Sequence, residues 1–135
     1  MKRLGTNIID MKYYYKGKLI GMKIGRFGGG SLSQTPTNAP LQILSWNHPK
    51  GYKCIPHFHK PMWRITRNLN ECFVVQKGKV RFKLYGDDGV HFKTIILKAG
   101  DVYLYVSGGH EAEALTECIM FEVKNGPYKE DKVKI

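Results

Sequence analysis

The chain of 135 residues has few cysteines, few acidic residues and no long apolar run. No run approaches the roughly 20 residues that span a bilayer, and the segment MKRLGTNIID lacks the apolar stretch of a signal peptide. Three widely spaced cysteines, Cys54, Cys72 and Cys118, form no CxxC motif, which favours reduced thiols over a disulfide framework. We therefore expect a cytoplasmic protein that is not inserted in a membrane.

The shortage of acidic residues leaves a strongly basic protein. Asp and Glu number 11 against 22 Lys and Arg, so the formal net charge is +11. The lysines are scattered singly along the chain, without the basic block, basic helix or aromatic signature that nucleic-acid binding proteins carry. Lysine on exposed strand faces also discourages edge pairing. We expect solvated lysines that attract anions, and no nucleic-acid partner.

Helical periodicity is almost absent as well. Short runs of β-branched and aromatic residues alternate with Gly, Pro, Asn and Asp, a pattern typical of an all-β sandwich or barrel. The Asp-Asp-Gly run at residues 87–89 predicts a hairpin, and the composition of residues 28–40 predicts a flexible loop. The length suits one domain, which we place over residues 1–135.

A pair of histidines is the first sign of chemistry. His57 and His59 lie one residue apart in GYKCIPHFHK, which we interpret as a strand. Alternate residues of a strand share a face, with Cα atoms about 6.5 Å apart. Imidazole is a common ligand of zinc, copper, iron and nickel. The two rings can therefore converge on one ion.

Two further residues extend this pair to a ligand set. Glu71 begins the predicted strand ECFVVQKG, and His110 follows a Gly-Gly pair at the end of the strand DVYLYV. Three imidazoles and a carboxylate suit iron, manganese, nickel or zinc better than copper(I). We predict a divalent metal ion bound by His57, His59, Glu71 and His110.

The spacing of these residues resembles the first motif of the cupin superfamily. That motif runs from glycine through a His-X-His pair and a glutamate to a second glycine. Five residues separate Gly51 from His57, and six separate Glu71 from Gly78, as in the motif. The eleven residues between His59 and Glu71 make a longer gap than is usual in the family.

The second cupin motif is matched by Gly100-Asp101 followed by His110. Val106 stands where the family usually has proline, and the histidine comes one residue early. The resemblance covers residues 51–110. It implies a double-stranded β-helix, the jelly-roll barrel, of the small single-domain metal-binding type known as conserved-barrel cupins.

The same resemblance organises the rest of the chain. Residues 1–48 would supply N-terminal strands and a loop, and residues 124–135 a C-terminal tail. A homodimer is also expected from the family.

Five other residues are candidates for a ligand pocket. Arg64 and Arg67 lie in the connection before Glu71, and their guanidinium groups suit carboxylate or phosphate. Trp63 can stack on a ligand ring. Tyr103 and Tyr105 share one strand face and are candidate proton donors. Solvated loop or packing positions are the alternative for all five.

Three functions remain open. The first is a divalent-metal-binding barrel that binds, and as an isomerase or oxygenase transforms, a small anionic metabolite such as a carboxylate or sugar derivative. The second is a metal-free sugar-nucleotide epimerase or ketoisomerase of cupin type, with His57 or His59 as base and Tyr103 or Tyr105 as acid. The third is a non-enzymatic small-ligand-binding protein.

Overall fold

The computed structural model describes residues 11–135, so the N-terminal decapeptide considered above lies outside the described residues. In this range the chain forms ten β-strands and no helix, and no helix there could span a membrane. The strands are β1 (Met11–Tyr15), β2 (Lys18–Ile24), β3 (Gly30–Ser33), β4 (Leu44–Asn47), β5 (Glu71–Lys77), β6 (Lys79–Tyr85), β7 (His91–Lys98), β8 (Val102–Tyr105), β9 (Gly109–Ala114) and β10 (Ile119–Lys124).

Strand β6 shows why these segments become strands. Val80, Phe82 and Leu84 are buried, and the lysine and arginine side chains between them point outward. This period of two is the side-chain repeat of a β-strand with one face on the core. The predicted hairpin after β6 is confirmed, because β6 pairs with β7 across the turn that contains Gly89, whose φ is +78°.

The strands form three antiparallel sheets. A five-stranded sheet has the order β1-β2-β8-β5-β10, a three-stranded sheet the order β7-β6-β9, and β3 pairs with β4. The chain passes directly from one large sheet to the other at the β5–β6 turn, where Gly78 has a φ of +82°. Phe73, Phe82 and Tyr103 meet between the two sheets, with ring centroids 5.0 to 6.4 Å apart. The main core therefore lies between the two larger sheets.

The structure confirms an antiparallel all-β protein, but none of the described sheets closes into a barrel. The interpretation of GYKCIPHFHK as a strand is wrong, because residues 48–70 contain no strand. Pro56 and Pro61 lack the N–H group that a sheet ladder needs. The predicted flexible loop at 28–40 is also wrong in part, since it contains β3 with the fully buried Leu32.

Candidate functional site

Glu71 lies at one end of the sandwich, where three strands of the large sheet meet. It is the first residue of β5 and pairs in register with Tyr105 of β8 on one side and Lys124 of β10 on the other. The carboxyl group is buried, with the residue 7% exposed. The Lys124 ammonium Nζ lies 3.6 Å from Glu71 Oε2. A carboxyl group is thus held at the sheet interior beside one cation.

His110 approaches the same carboxyl group from the opposite sheet. Its Nε2 atom lies 3.5 Å from Glu71 Oε1. The ring packs against Phe73, Phe82 and Tyr105, with centroid distances of 5.4, 6.2 and 4.8 Å. Its Nδ1 atom is buried without a hydrogen-bond partner in the described part of the chain. The structure therefore brings together two of the four predicted ligands.

Burial dominates the electrostatics of this pair. Burial, and after it the Glu122 carboxylate, raise the pKa of Glu71 to about 7 against the opposing effect of Lys124. Burial also lowers the pKa of His110, with Glu122 opposing and the nearby lysines assisting. A neutral imidazole is the form that ligates a metal or accepts a proton. His110 is therefore held in the form that either chemistry requires.

Glu122 completes the polar cluster at this end of the sandwich. It shares a face of β10 with Lys124, and its Oε1 atom is 3.7 Å from Lys124 Nζ. From the sequence alone, Glu122 could equally be a packing residue or a site residue. Its two-residue offset from Lys124 is the signal that could have placed it.

The two candidate tyrosines occupy different depths. Tyr105 is half-buried at the site, and its hydroxyl donates a 2.8 Å hydrogen bond to the Gly108 carbonyl. Tyr103 is 0% exposed, and its hydroxyl has no hydrogen-bond partner among residues 11–135. Burial raises the pKa of both phenols. Tyr105 borders the Glu71–His110 pair, whereas Tyr103 lies in the core.

His57 and His59 lie on an exposed part of the chain and face each other. Their Nε2 atoms are 3.1 Å apart. The Nδ1–H group of His57 donates a 2.7 Å hydrogen bond to the Ile55 carbonyl, which leaves the Nε2 atom of His57 as an acceptor. A backbone carbonyl on Nδ1 is also the usual support of a metal-binding histidine.

The structure does not bring the two ligand pairs together. In the part of the chain that it describes, no group of three or more His, Cys, Asp or Glu side chains is arranged to hold a metal ion. His57 and His59 belong to a stretch, residues 51–68, in which every residue is exposed. The four-ligand set therefore stays a prediction.

Of the three residues predicted to bind a substrate, one lines a cavity. Arg67 borders a cleft of about 410 Å³ between residues 66–69 and the C-terminal residues 124–132. Trp63 is 95% exposed, and Arg64 is exposed as well. Neither lines the cleft.

Asn125 holds the two walls of the cleft together. Its side-chain amide donates hydrogen bonds to Thr66 Oγ1 at 2.9 Å and to the Asn68 carbonyl at 3.1 Å. Its Oδ1 atom accepts a 2.9 Å bond from the Asn70 amide. Because Asn70 precedes Glu71, this network fixes the cleft directly beside the buried carboxyl group.

The cleft has a basic lining. Four cations and two carboxylates border it: Arg67, Lys124, Lys129, Lys132, Glu130 and Asp131. Lys124 belongs both to the cleft and to the polar cluster around Glu71. The arrangement can bind an anion next to a carboxyl–imidazole pair. Comparison of the chain with protein-family models, with curated proteins and with solved structures gives no match.

Proposed function

We propose that the protein is a metal-binding β-protein of cupin type that binds a small anionic molecule. His57, His59, Glu71 and His110 would hold the ion. The observation that carries the proposal is the separation of donor atoms within each pair, 3.1 Å for the two Nε2 atoms and 3.5 Å between His110 and Glu71. Two donors about 2.1 Å from one ion lie about 3.0 Å apart at a right angle and about 3.4 Å apart at the tetrahedral angle.

The chemistry of the donors agrees with that spacing. Three imidazoles and one carboxylate suit iron, manganese, nickel or zinc. The bond from His57 Nδ1 to the Ile55 carbonyl directs Nε2 toward a ligand, and burial keeps His110 neutral. When bound, such an ion supplies a Lewis acid.

The basic cleft supports an anionic ligand. Arg67 lines the cleft, and its guanidinium group can bind a carboxylate or phosphate through two parallel hydrogen bonds. Lys124 lies between the cleft and Glu71, so it can orient the anion toward the carboxyl–imidazole pair. The proposal includes three further properties. The strands would close into a jelly-roll barrel, the protein would act as an isomerase or oxygenase, and two chains would form a homodimer.

Metal titration of the chelator-treated protein tests it. We expect one Ni²⁺ or Zn²⁺ ion per chain by calorimetry and elemental analysis. We expect His57→Ala and Glu71→Gln each to weaken binding at least about tenfold. His91→Ala is the matched control, because His91 is exposed on β7 and its ring hydrogen-bonds to Lys93 and Thr94 of the same strand. If the Glu71 variant bound metal like the wild type, the four-ligand site would be rejected.

The polar cluster at Glu71 favours one alternative, a metal-free acid–base site. Glu71, His110 and Tyr105 are already together, with the His110 and Tyr105 rings 4.8 Å apart. A sugar nucleotide in the basic cleft would meet these groups without His57 or His59. A thermal shift with UDP-glucose but none with Ni²⁺ or Zn²⁺ would support this alternative, and the reverse result would oppose it.

A further inference from the structure

The chain exposes an apolar and basic segment that we call the arm, residues 50–65. Five large apolar side chains of the arm are more than two-thirds exposed: Ile55, Phe58, Met62, Trp63 and Ile65. Monomeric soluble proteins rarely expose apolar patches of more than a few hundred Å². The arm therefore needs a surface to cover it.

The exposed area is large enough to hold two chains together. With about 150 Å² from an average side chain of this kind, the five expose on the order of 700 Å² in each chain. Reciprocal burial of two arms would remove on the order of 1,400 Å² from water, which falls in the range of stable protein–protein interfaces, about 1,200 to 2,000 Å².

Strand β9 offers a matching edge. It is the outer strand of the order β7-β6-β9, so among residues 11–135 one of its edges has no neighbour. An unpaired edge is a template for an added strand. The outward face of β9 carries Glu111 and Glu113, of which Glu113 is paired with Arg81 and Glu111 accepts a bond from Tyr85.

Charge selects β9 among the outer strands. The arm contains four cations and no acidic residue: Lys50, Lys53, Lys60 and Arg64. By contrast β1 and β7 carry lysines and no acid, and β10 carries one acid and one lysine. Among the outer strands within residues 11–135, only β9 has a net negative charge.

The alternation of side chains agrees with this pairing. On β9, His110 faces the core and Glu111 faces outward. An extended arm places His57 and His59 on one face and Cys54 and Lys60 on the other. Pairing that turns the two imidazoles toward His110 puts Lys60 on the side of the acidic residues. Pro56, which has no N–H, is tolerated because the arm becomes an edge strand.

We propose that the arm of one copy adds as an edge strand to β9 of a second copy, so that two chains exchange arms in a symmetric dimer. The partner subunit's His57 and the partner subunit's His59 then complete the site of Glu71 and His110. A second copy is the occupant because every residue from 51 to 68 stays exposed on its own chain. The shared site rests on the proposed metal function, whereas arm exchange does not.

Light scattering and cross-linking test the exchange without metal. We expect twice the 15.5 kDa chain mass. With His57 opposite His110 in an antiparallel pairing, Cys54 lies opposite Glu113 of β9. In chains carrying Glu113→Cys, we expect oxidation to join that thiol to Cys54 between chains, giving a dimer on a non-reducing gel that Cys54→Ser abolishes. Ile55→Asp should raise the dimer dissociation constant at least about tenfold, whereas Leu44→Asp, at an exposed position on β4 outside the arm and β9, should not. A monomer, or cross-links only within chains, would overturn the proposal.

Complementation tests the shared site. We expect His57→Ala/His59→Ala chains and Glu71→Gln/His110→Ala chains to bind no Ni²⁺ separately. After co-refolding, half of the dimers are mixed and each mixed dimer has one intact site, so binding should return to about a quarter of the wild-type stoichiometry. Interchain cross-links without restored Ni²⁺ binding would reject the shared metal site and retain the exchange. Ni²⁺ binding by the wild type without interchain cross-links would reject the exchange and retain the metal site.

Discussion

Replacing Glu71 by glutamine should remove a pH-dependent loss of stability from the metal-free protein. Burial and the neighbouring Glu122 carboxylate together raise the pKa of Glu71 from 4.5 to about 7, against the lowering effect of Lys124. Between these two values the folded chain keeps a proton that the unfolded chain has released. Folding stability therefore falls as pH rises through this window. Glutamine has the same shape and no charge, so the variant lacks this fall.

The size of the effect follows from the width of the window. Each tenfold change in proton concentration corresponds to about 1.4 kcal/mol, so the interval from 4.5 to about 7 amounts to about 3 kcal/mol. The lowered pKa of His110 has the opposite consequence, a gain in stability as pH rises toward 6.5. Since both proteins contain His110, its contribution cancels in the difference between them.

Urea denaturation in the presence of chelator measures this difference. We expect the free energy of unfolding of Glu71→Gln, relative to wild type, to rise by about 3 kcal/mol between about pH 4.5 and about pH 8.5. Glu117→Gln is the control, since that side chain is 88% exposed, and its curve should parallel the wild type. A difference for Glu71→Gln that stays constant within about 0.5 kcal/mol would refute the reasoning.

Three further substitutions test the packing around the site. Tyr103→Phe removes a buried hydroxyl without a partner in the described chain. The free energy of unfolding should therefore stay equal or rise by up to about 1 kcal/mol, with the melting temperature changing in the same direction. Gly21→Ala would drive a methyl group into the Tyr103 hydroxyl and should cost about 1 to 3 kcal/mol in chemical denaturation, part of which Tyr103→Phe should restore. Asp101→Ala should cost about 1 to 3 kcal/mol by the same assay, because the buried carboxylate accepts a 2.9 Å bond from the Lys98 amide.

Local alternation was enough to predict much of the sheet structure. Val80, Phe82 and Leu84 repeat every second residue, and the Asp-Asp-Gly turn follows them, so the β6–β7 hairpin could be predicted before any tertiary contact was known. The same reasoning gave a wrong prediction for part of residues 28–40. Their glycine and proline content indicates a loop, but Leu32 lies in a strand because its burial outweighs local preference.

The arm shows the limit of sequence pattern. The HxH alternation predicts a strand at His57 and His59, yet a strand forms only where a neighbour supplies hydrogen bonds. Residues 51–68 have no neighbouring strand among residues 11–135 of their own chain. The basic cleft around Arg67 could not be predicted either, because its second wall is the tail beyond Lys124, and hydrogen bonds of Asn125 join the two walls.

By itself, the sequence determined the all-β class, the strand periodicity and the identity of the imidazole and carboxyl groups, because these depend on local spacing and side-chain chemistry. Only the tertiary structure decided which of those groups meet. Glu71 and His110 are 39 positions apart in the sequence, yet the two facing sheets bring their polar atoms to 3.5 Å. His57 and His59, closer to Glu71 along the chain, remain outside the sandwich. Long-range pairing depends on which strand edges and core surfaces are satisfied, which local pattern does not specify.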